Sequence, residues 1–194
     1  MLSRIFRPQY FPLVGFVVLF MTTFLSLLPW VFKAVVLLLV AIGTIVLPQW
    51  FITLWRCTNG WEPASLRLRE NRFVPFLANI ASYSATLFAL GTFHLPRYMG
   101  GILIGALLTQ IACTITNIWW KVSTHCAGSG AVIGALMAYS IIFYFNPVWW
   151  LCLTILISGL VGSSRMLLRQ HTLMQVVGGT CIGTLCGFLG IMAP

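Results

Sequence analysis

The chain has 194 residues, 60% of them hydrophobic and 7% charged, with a mean hydropathy of +0.99. These values exclude an ordinary soluble domain, in which about a quarter of residues are charged, and leave an integral membrane protein made of spanning helices. The net charge of +9 sets eleven Lys and Arg against Glu62 and Glu70 alone; the basic residues stand singly or in small groups between apolar runs, which suits lipid headgroups or a phosphorylated lipid and not nucleic acid.

Seven apolar stretches follow one another, roughly Phe11 to Leu28, Ala34 to Leu54, Phe76 to Phe93, Met99 to Trp119, Ala127 to Phe145, Val148 to Val161 and Met174 to Ile191. Most approach the roughly twenty residues that a helix needs to cross about 30 Å of hydrocarbon. The first ends at Leu28-Pro29-Trp30 without a small-x-small cleavage site, so it reads as a retained span and not a signal peptide. The sixth is short and is expected to lie inside the bundle or to start in the interface. Pro29, Pro96 and Pro147 mark tight turns between spans. Trp119-Trp120 and Trp149-Trp150 read as interfacial anchors. The expected fold class is all-α, a polytopic membrane helical bundle of six to seven spans forming a single domain over residues 1–194.

Six cysteines (Cys57, Cys113, Cys126, Cys152, Cys181, Cys186) show no CxxC spacing and no disulfide framework, and read as small membrane-helix residues. Gly179, Gly183 and Gly187 recur every four residues in the last stretch, a stripe for close helix packing. Gly128, Gly130 and Gly134 suit the same purpose. Gly128 and Gly130 also lie near a helix start, where backbone N–H groups favour an anion.

Parity then places the polar segments. Arg56 to Pro75, Lys121 to His125 and Ser164 to His171 are each separated by two apolar stretches, so all three are predicted to share one membrane face. A titratable side chain at the end of an apolar span is costly unless it is used. Phosphoryl transfer from a lipid needs cations on the non-bridging oxygens, a nucleophile in line with the leaving oxygen and an acid to protonate it. Arg165 offers a planar, permanently charged fork, His171 a nucleophilic imidazole and His125 an acid. Ser123 and the amides after it can hold a phosphate oxygen. His94 is predicted on the opposite face and is given no role. Arg169 reads as an anchor to headgroups.

Ser164-Arg165, five residues and His171 resemble the third signature of the type-2 phosphatidic acid phosphatase family. Ser123-Thr124-His125 resembles its second, Pro-Ser-Gly-His, with Val122 and Thr124 replacing the proline and glycine. The first signature, a lysine, six residues and Arg-Pro, is weak: Arg67 to Val74-Pro75 keeps the spacing but has valine for the arginine. Arg69-Glu70-Asn71-Arg72-Phe73-Val74-Pro75 is instead similar to an Arg-Glu-x-Arg-x-x-Pro form of a divergent bacterial branch, which also carries a lysine where Lys121 stands. The resemblance implies a helical bundle in which His171 is transiently phosphorylated and His125 protonates the leaving group. It makes Arg165, Ser123, Lys121, Arg72 and Arg69 the phosphate ligands. It departs at Gln175, where the family usually has an aspartate to orient the histidine. A glutamine carbonyl can accept the Nδ1 proton from one turn away but brings no charge, which predicts a slower enzyme or an inactive one. Glu70 is the plausible replacement carboxylate.

The function expected is a membrane lipid phosphate phosphatase acting through a phosphohistidine, with no metal and no cofactor, because aspartate is absent and hard cations need carboxylate oxygens. Its partners are a phosphorylated lipid substrate and membrane lipids, with no nucleic acid, and its expected location is a bacterial inner membrane. Isoprenyl diphosphate, phosphatidic acid, phosphatidylglycerophosphate and a lipid A phosphate all stay open as substrates. A non-catalytic lipid-phosphate binder or transporter and a lipid phosphotransferase stay open as alternatives, as does the side that the site faces.

Overall fold

The computed structural model describes residues 8–22, 27–59, 73–93 and 97–193. Eight α-helices follow in order: α1 (Phe11–Thr22), α2 (Trp30–Ala41), α3 (Leu47–Asn59), α4 (Phe73–Gly91), α5 (Arg97–Trp119), α6 (Thr124–Phe143), α7 (Val148–Leu167) and α8 (Leu173–Met192). Helices α2 and α3 join through a π-helical stretch, Ile42–Val46, into one long span. Six helices are long and apolar enough to cross a membrane, and α1 is a shorter apolar helix. The all-α bundle of six to seven spans is therefore the observed architecture.

Local chemistry explains the boundaries. Pro29 and Pro147 stand just before α2 and α7, where a missing N–H costs nothing. Tyr144, with φ 50°, reverses the chain after α6, and the Asn146 side chain accepts a hydrogen bond from the Val148 amide at 3.0 Å. Within the spans, Thr44, Thr86, Thr109, Thr180 and Thr184 donate their hydroxyls to carbonyls one turn back. This satisfies them where no water is available. The six cysteines are free, as their spacing predicts.

The π stretch lets Gly43 lie against α4: its carbonyl accepts from the Ser82 hydroxyl, and a Cβ there would overlap Thr86. Gln49, Gln9 and Asn79 continue that seam as a chain of amide hydrogen bonds, 3.1 and 3.2 Å long. Residues 43 to 49 thus run against residues 86 to 79, so α3 and α4 are antiparallel.

The tightest packing is between α6 and α8. A Cβ on Gly183 would meet the Ala127 carbonyl oxygen at 1.9 Å, one on Gly187 the Ala131 oxygen at 2.2 Å, and one on Gly134 the Thr184 oxygen at 2.0 Å. Only small residues allow backbones this close, and in lipid such packing replaces the hydrophobic drive that water would supply. Because 127 pairs with 183 and 131 with 187, α6 and α8 are parallel. Helix α5 covers the other side of α8 in the opposite sense, with Gly101 against Gly190 and Gly105 against Gly187. Both polar segments, Lys121–His125 and Ser164–His171, therefore open on one face. The ends of α3 and α4 that flank residues 60–72 point the same way, as parity predicts.

The sixth stretch differs from its expectation. Helix α7 is a full 20 residues, Val148–Leu167, and not a short segment. Hydropathy falls at Ser163-Ser164-Arg165, but these residues stay helical as the span emerges at the interface. Arg165 consequently sits in the last helical turn and not in a loop.

Candidate active site

Three chain segments build the site. The first is Lys121–Ser123 with the start of α6. Ser123 precedes the helix in extended conformation, and its carbonyl accepts the Ala127 amide at 2.9 Å. His125, the second helical residue, is half-buried. Gly128 then falls in the second turn, where its N–H is spent on the helix. Gly130 faces the Thr180 carbonyl. Neither glycine offers the free amide that its place near the helix start suggested.

The second segment is the end of α7. Arg165 is half-buried in the last turn, close enough for its charge to be felt at Cys126 on α6. The Arg169 amide donates to the Met166 carbonyl at 2.8 Å and the Gln170 amide to the Arg165 carbonyl at 3.1 Å. That pair of bonds is the Schellman closure, whose left-handed position favours glycine; here Arg169 occupies it with φ 50°.

The third segment is the start of α8. Thr172 and Gln175 form a reciprocal capping box. The Gln175 Oε1 accepts the Thr172 amide at 3.3 Å and also lies 3.1 Å from Nδ1 of His171. The Thr172 amide can only donate, so the atom facing it must be the carbonyl oxygen. That oxygen can only accept, so His171 must carry its proton on Nδ1. In the neutral ring, Nε2 then carries the lone pair. His171 is 8% exposed, so its ring is held firmly.

These segments meet. The Ser123 amide donates to the Gln175 carbonyl at 3.3 Å, and a Cβ on Gly179 would come within 2.7 Å of the Ser123 oxygen. A Cβ on Gly178 would meet the Trp120 ring at 2.7 Å, so Trp120 also packs against α8 and is more than an anchor. Ser129 and Ser158 share a buried hydroxyl hydrogen bond of 2.9 Å that ties α6 to α7. Lys121, His171 and Gln175 line a cavity of about 440 Å³ together with Met166, Arg169, Gln170 and Thr172. The Ser123 hydroxyl donates to Cys126 Sγ at 3.1 Å and is fully buried, so it is turned away from that cavity. Arg69, Glu70 and Arg72 fall outside the described residues, as do Glu62, Arg67 and His94. Arg169 was missed as a cavity residue; an arginine two before the histidine, just past the end of a helix, was the available signal.

Residues 107–193 match the model of the PAP2 superfamily. That segment is similar to the PAP2 superfamily. It runs from the middle of α5 to the end of α8 and takes in Lys121, Ser123, His125, Arg165, His171 and Gln175. No curated protein and no solved structure matches the chain.

Proposed function

We propose that this protein is a metal-independent lipid phosphate phosphatase of the PAP2 type that works through a phosphohistidine. The observation that carries the reading is the Nδ1–H of His171 on the Gln175 carbonyl. In the neutral ring this places the lone pair on Nε2, and His171 lines its cavity together with Lys121 and Arg169. A neutral imidazole so fixed is the nucleophile that phosphoryl transfer needs.

In the proposed step, Nε2 of His171 attacks phosphorus and the bond from phosphorus to the lipid oxygen breaks. His125 gives its proton to that oxygen, and the alcohol leaves. Water then attacks the phosphohistidine, His125 takes a water proton, the N–P bond breaks and inorganic phosphate departs. Arg165, Lys121 and, after rotation of its hydroxyl, Ser123 hold the non-bridging oxygens, joined by Arg69 and Arg72 from the sequence before α4. Gln175 positions His171 and lacks the charge that would stabilise the imidazolium. The substrate is a phosphorylated lipid, monoester or diphosphate, and the membrane a bacterial inner membrane.

The test is phosphate release from lipid phosphates by purified protein in EDTA. The expected result is activity in the wild type and a drop of at least about a thousandfold in His171→Ala, the scale of a lost nucleophile or acid–base group. Equal release by both proteins, or loss in EDTA, would sink the mechanism. The uncharged Gln175 also favours a second reading, a lipid-phosphate binder without turnover. Binding of every lipid without release of phosphate from any would select it.

A further inference from the structure

A second cavity, of about 610 Å³, lies between α1, α5, α6 and α7 and shares no lining residue with the one beside His171. Its walls are mainly apolar, with Gly15, Val18, Ala106 and Val132 among them. Two of its polar side chains stand out, Tyr83 of α4 and Gln110 of α5. They are 4% and 9% exposed, and neither side chain makes a hydrogen bond among the described residues. The buried polar groups around them are all spent. Asn79 accepts from Gln9, Ser82 donates to the Gly43 carbonyl, Thr86 to the Ser82 carbonyl and Thr109, beside Gln110, to the Gly105 carbonyl. In lipid a polar group must be satisfied without bulk water. A phenol and an amide left over on one cavity therefore mark a place where something from outside the chain bonds to them.

Depth narrows the choice. Tyr83 lies ten residues from the site-face end of α4 and Gln110 nine residues from that end of α5, about 15 and 14 Å along the helices. Half of the hydrocarbon core is about 15 Å, so both stand near the bilayer midplane. No Lys, Arg or His lines the cavity. A phosphate at that depth would face no cation and is excluded. An uncharged group that both donates and accepts a hydrogen bond is not.

We infer that Tyr83 and Gln110 bind the hydroxyl of a neutral lipid alcohol, the class of product that the proposed reaction releases. The inference rests on the proposed function for the origin of that alcohol. The hydroxyl donates its proton to the Gln110 carbonyl oxygen and accepts from the Tyr83 phenol, so all three groups are satisfied. A lipid carbonyl could only accept and would leave the Gln110 oxygen bare. A water seeks about three hydrogen bonds, and the apolar wall around the pair does not supply them. The chain of an alcohol instead makes dispersion contacts with that wall. The cavity also reaches Thr124, the residue before His125. An alcohol freed at the histidines has lost the charge that held it at the interface, and the cavity leads it inward. Substrate and product are thus separated by charge: the cationic face keeps the one and the uncharged interior takes the other.

The test is photolabelling of the full-length protein in lipid vesicles. The probe is a long-chain alcohol with a diazirine on the carbon next to the hydroxyl, and its methyl ether is the control. The expected adducts lie on α4 and α5 around Tyr83 and Gln110. Labelling there is expected to fall about fivefold in Tyr83→Phe, in Gln110→Leu and with the ether, the scale of one net hydrogen bond. Melting temperature gives a second reading: the alcohol raises it in the wild type and not in the double variant. Equal labelling by alcohol and ether, unchanged labelling in both variants, or adducts confined to lipid-facing surfaces would overturn the site and leave water as the partner of the pair. Neither reading needs turnover, so a failed phosphate-release assay and a failed alcohol site are told apart.

Discussion

The α6–α8 pair and helix α7 carry the site between them, and they are held in opposite ways. Between α6 and α8, glycines and alanines bring backbone onto backbone, with Gly179, Gly183 and Gly187 all on the contact. Helix α7 has far less support: Gly159 faces open space, and Leu156 and Leu160 are turned outward to lipid. Its ties to the site are the Ser129–Ser158 hydroxyl bond and the contact of Gly162 with Val176. His125 sits on the rigid pair, His171 immediately before α8 and bonded to it through Gln175, and Arg165 on the lightly held helix. Nucleophile and acid need fixed geometry to within a fraction of an ångström, whereas a cation acts over a longer range and tolerates a helix that shifts.

The strongest way to break this contrast is a side chain in the glycine seam. Gly183→Leu is expected to cost about 3 kcal/mol or more, since the obstacle at 1.9 Å is backbone and cannot rotate away. Gly159→Ala on α7, with nothing within 4 Å, is expected to be neutral or to stabilise by up to about 1 kcal/mol. Thermal unfolding in detergent compares the two, and equal losses would remove the distinction. Next comes the histidine support. Gln175→Leu takes away the acceptor that fixes the His171 tautomer and half of the capping box, and kcat is expected to fall about thirtyfold, within the range for lost acid–base positioning. Gln175→Glu keeps the reach, suits the capping box and adds charge, so it is expected to match or exceed wild type. A Gln175→Leu protein with unchanged kcat would mean that the tautomer is not controlled there. The smallest effect belongs to α7. Arg169→Gly removes a left-handed arginine, so stability is expected to rise by about 1 kcal/mol while KM rises severalfold. A fall in stability would show that the arginine is held there by packing and not by the cavity.

Much of this was legible in the sequence because its causes are local. Apolar length marks the spans, and parity carries Lys121–His125 and Ser164–His171 to one face without any knowledge of packing. The four-residue glycine spacing announces the α8 seam, and Gln175 one turn after His171 announces the hydrogen bond. What was missed depends on neighbours distant in sequence. Nothing near Ser123 says that its hydroxyl turns to Cys126, and hydropathy cannot tell that Ser163 to Arg165 remain helical. Gly128 reads as a packing or anion-binding glycine, yet it lines a cavity of about 610 Å³ between α1, α5, α6 and α7. Arg169 looks like any interfacial arginine until the Schellman turn brings it into the cavity wall.

The parallel course of α6 and α8 has an electrostatic consequence. Every α-helix carries about half a positive charge at its N-terminus, and two such termini, at Thr124 and Leu173, open on the same face. The negative poles of α5 and α7 emerge there too, and Lys121, two residues beyond α5, and Arg165 in the last turn of α7 offset them. These two cations thus leave the positive poles beside His125 and His171 to favour a dianion, in a chain with only two acidic residues to oppose it.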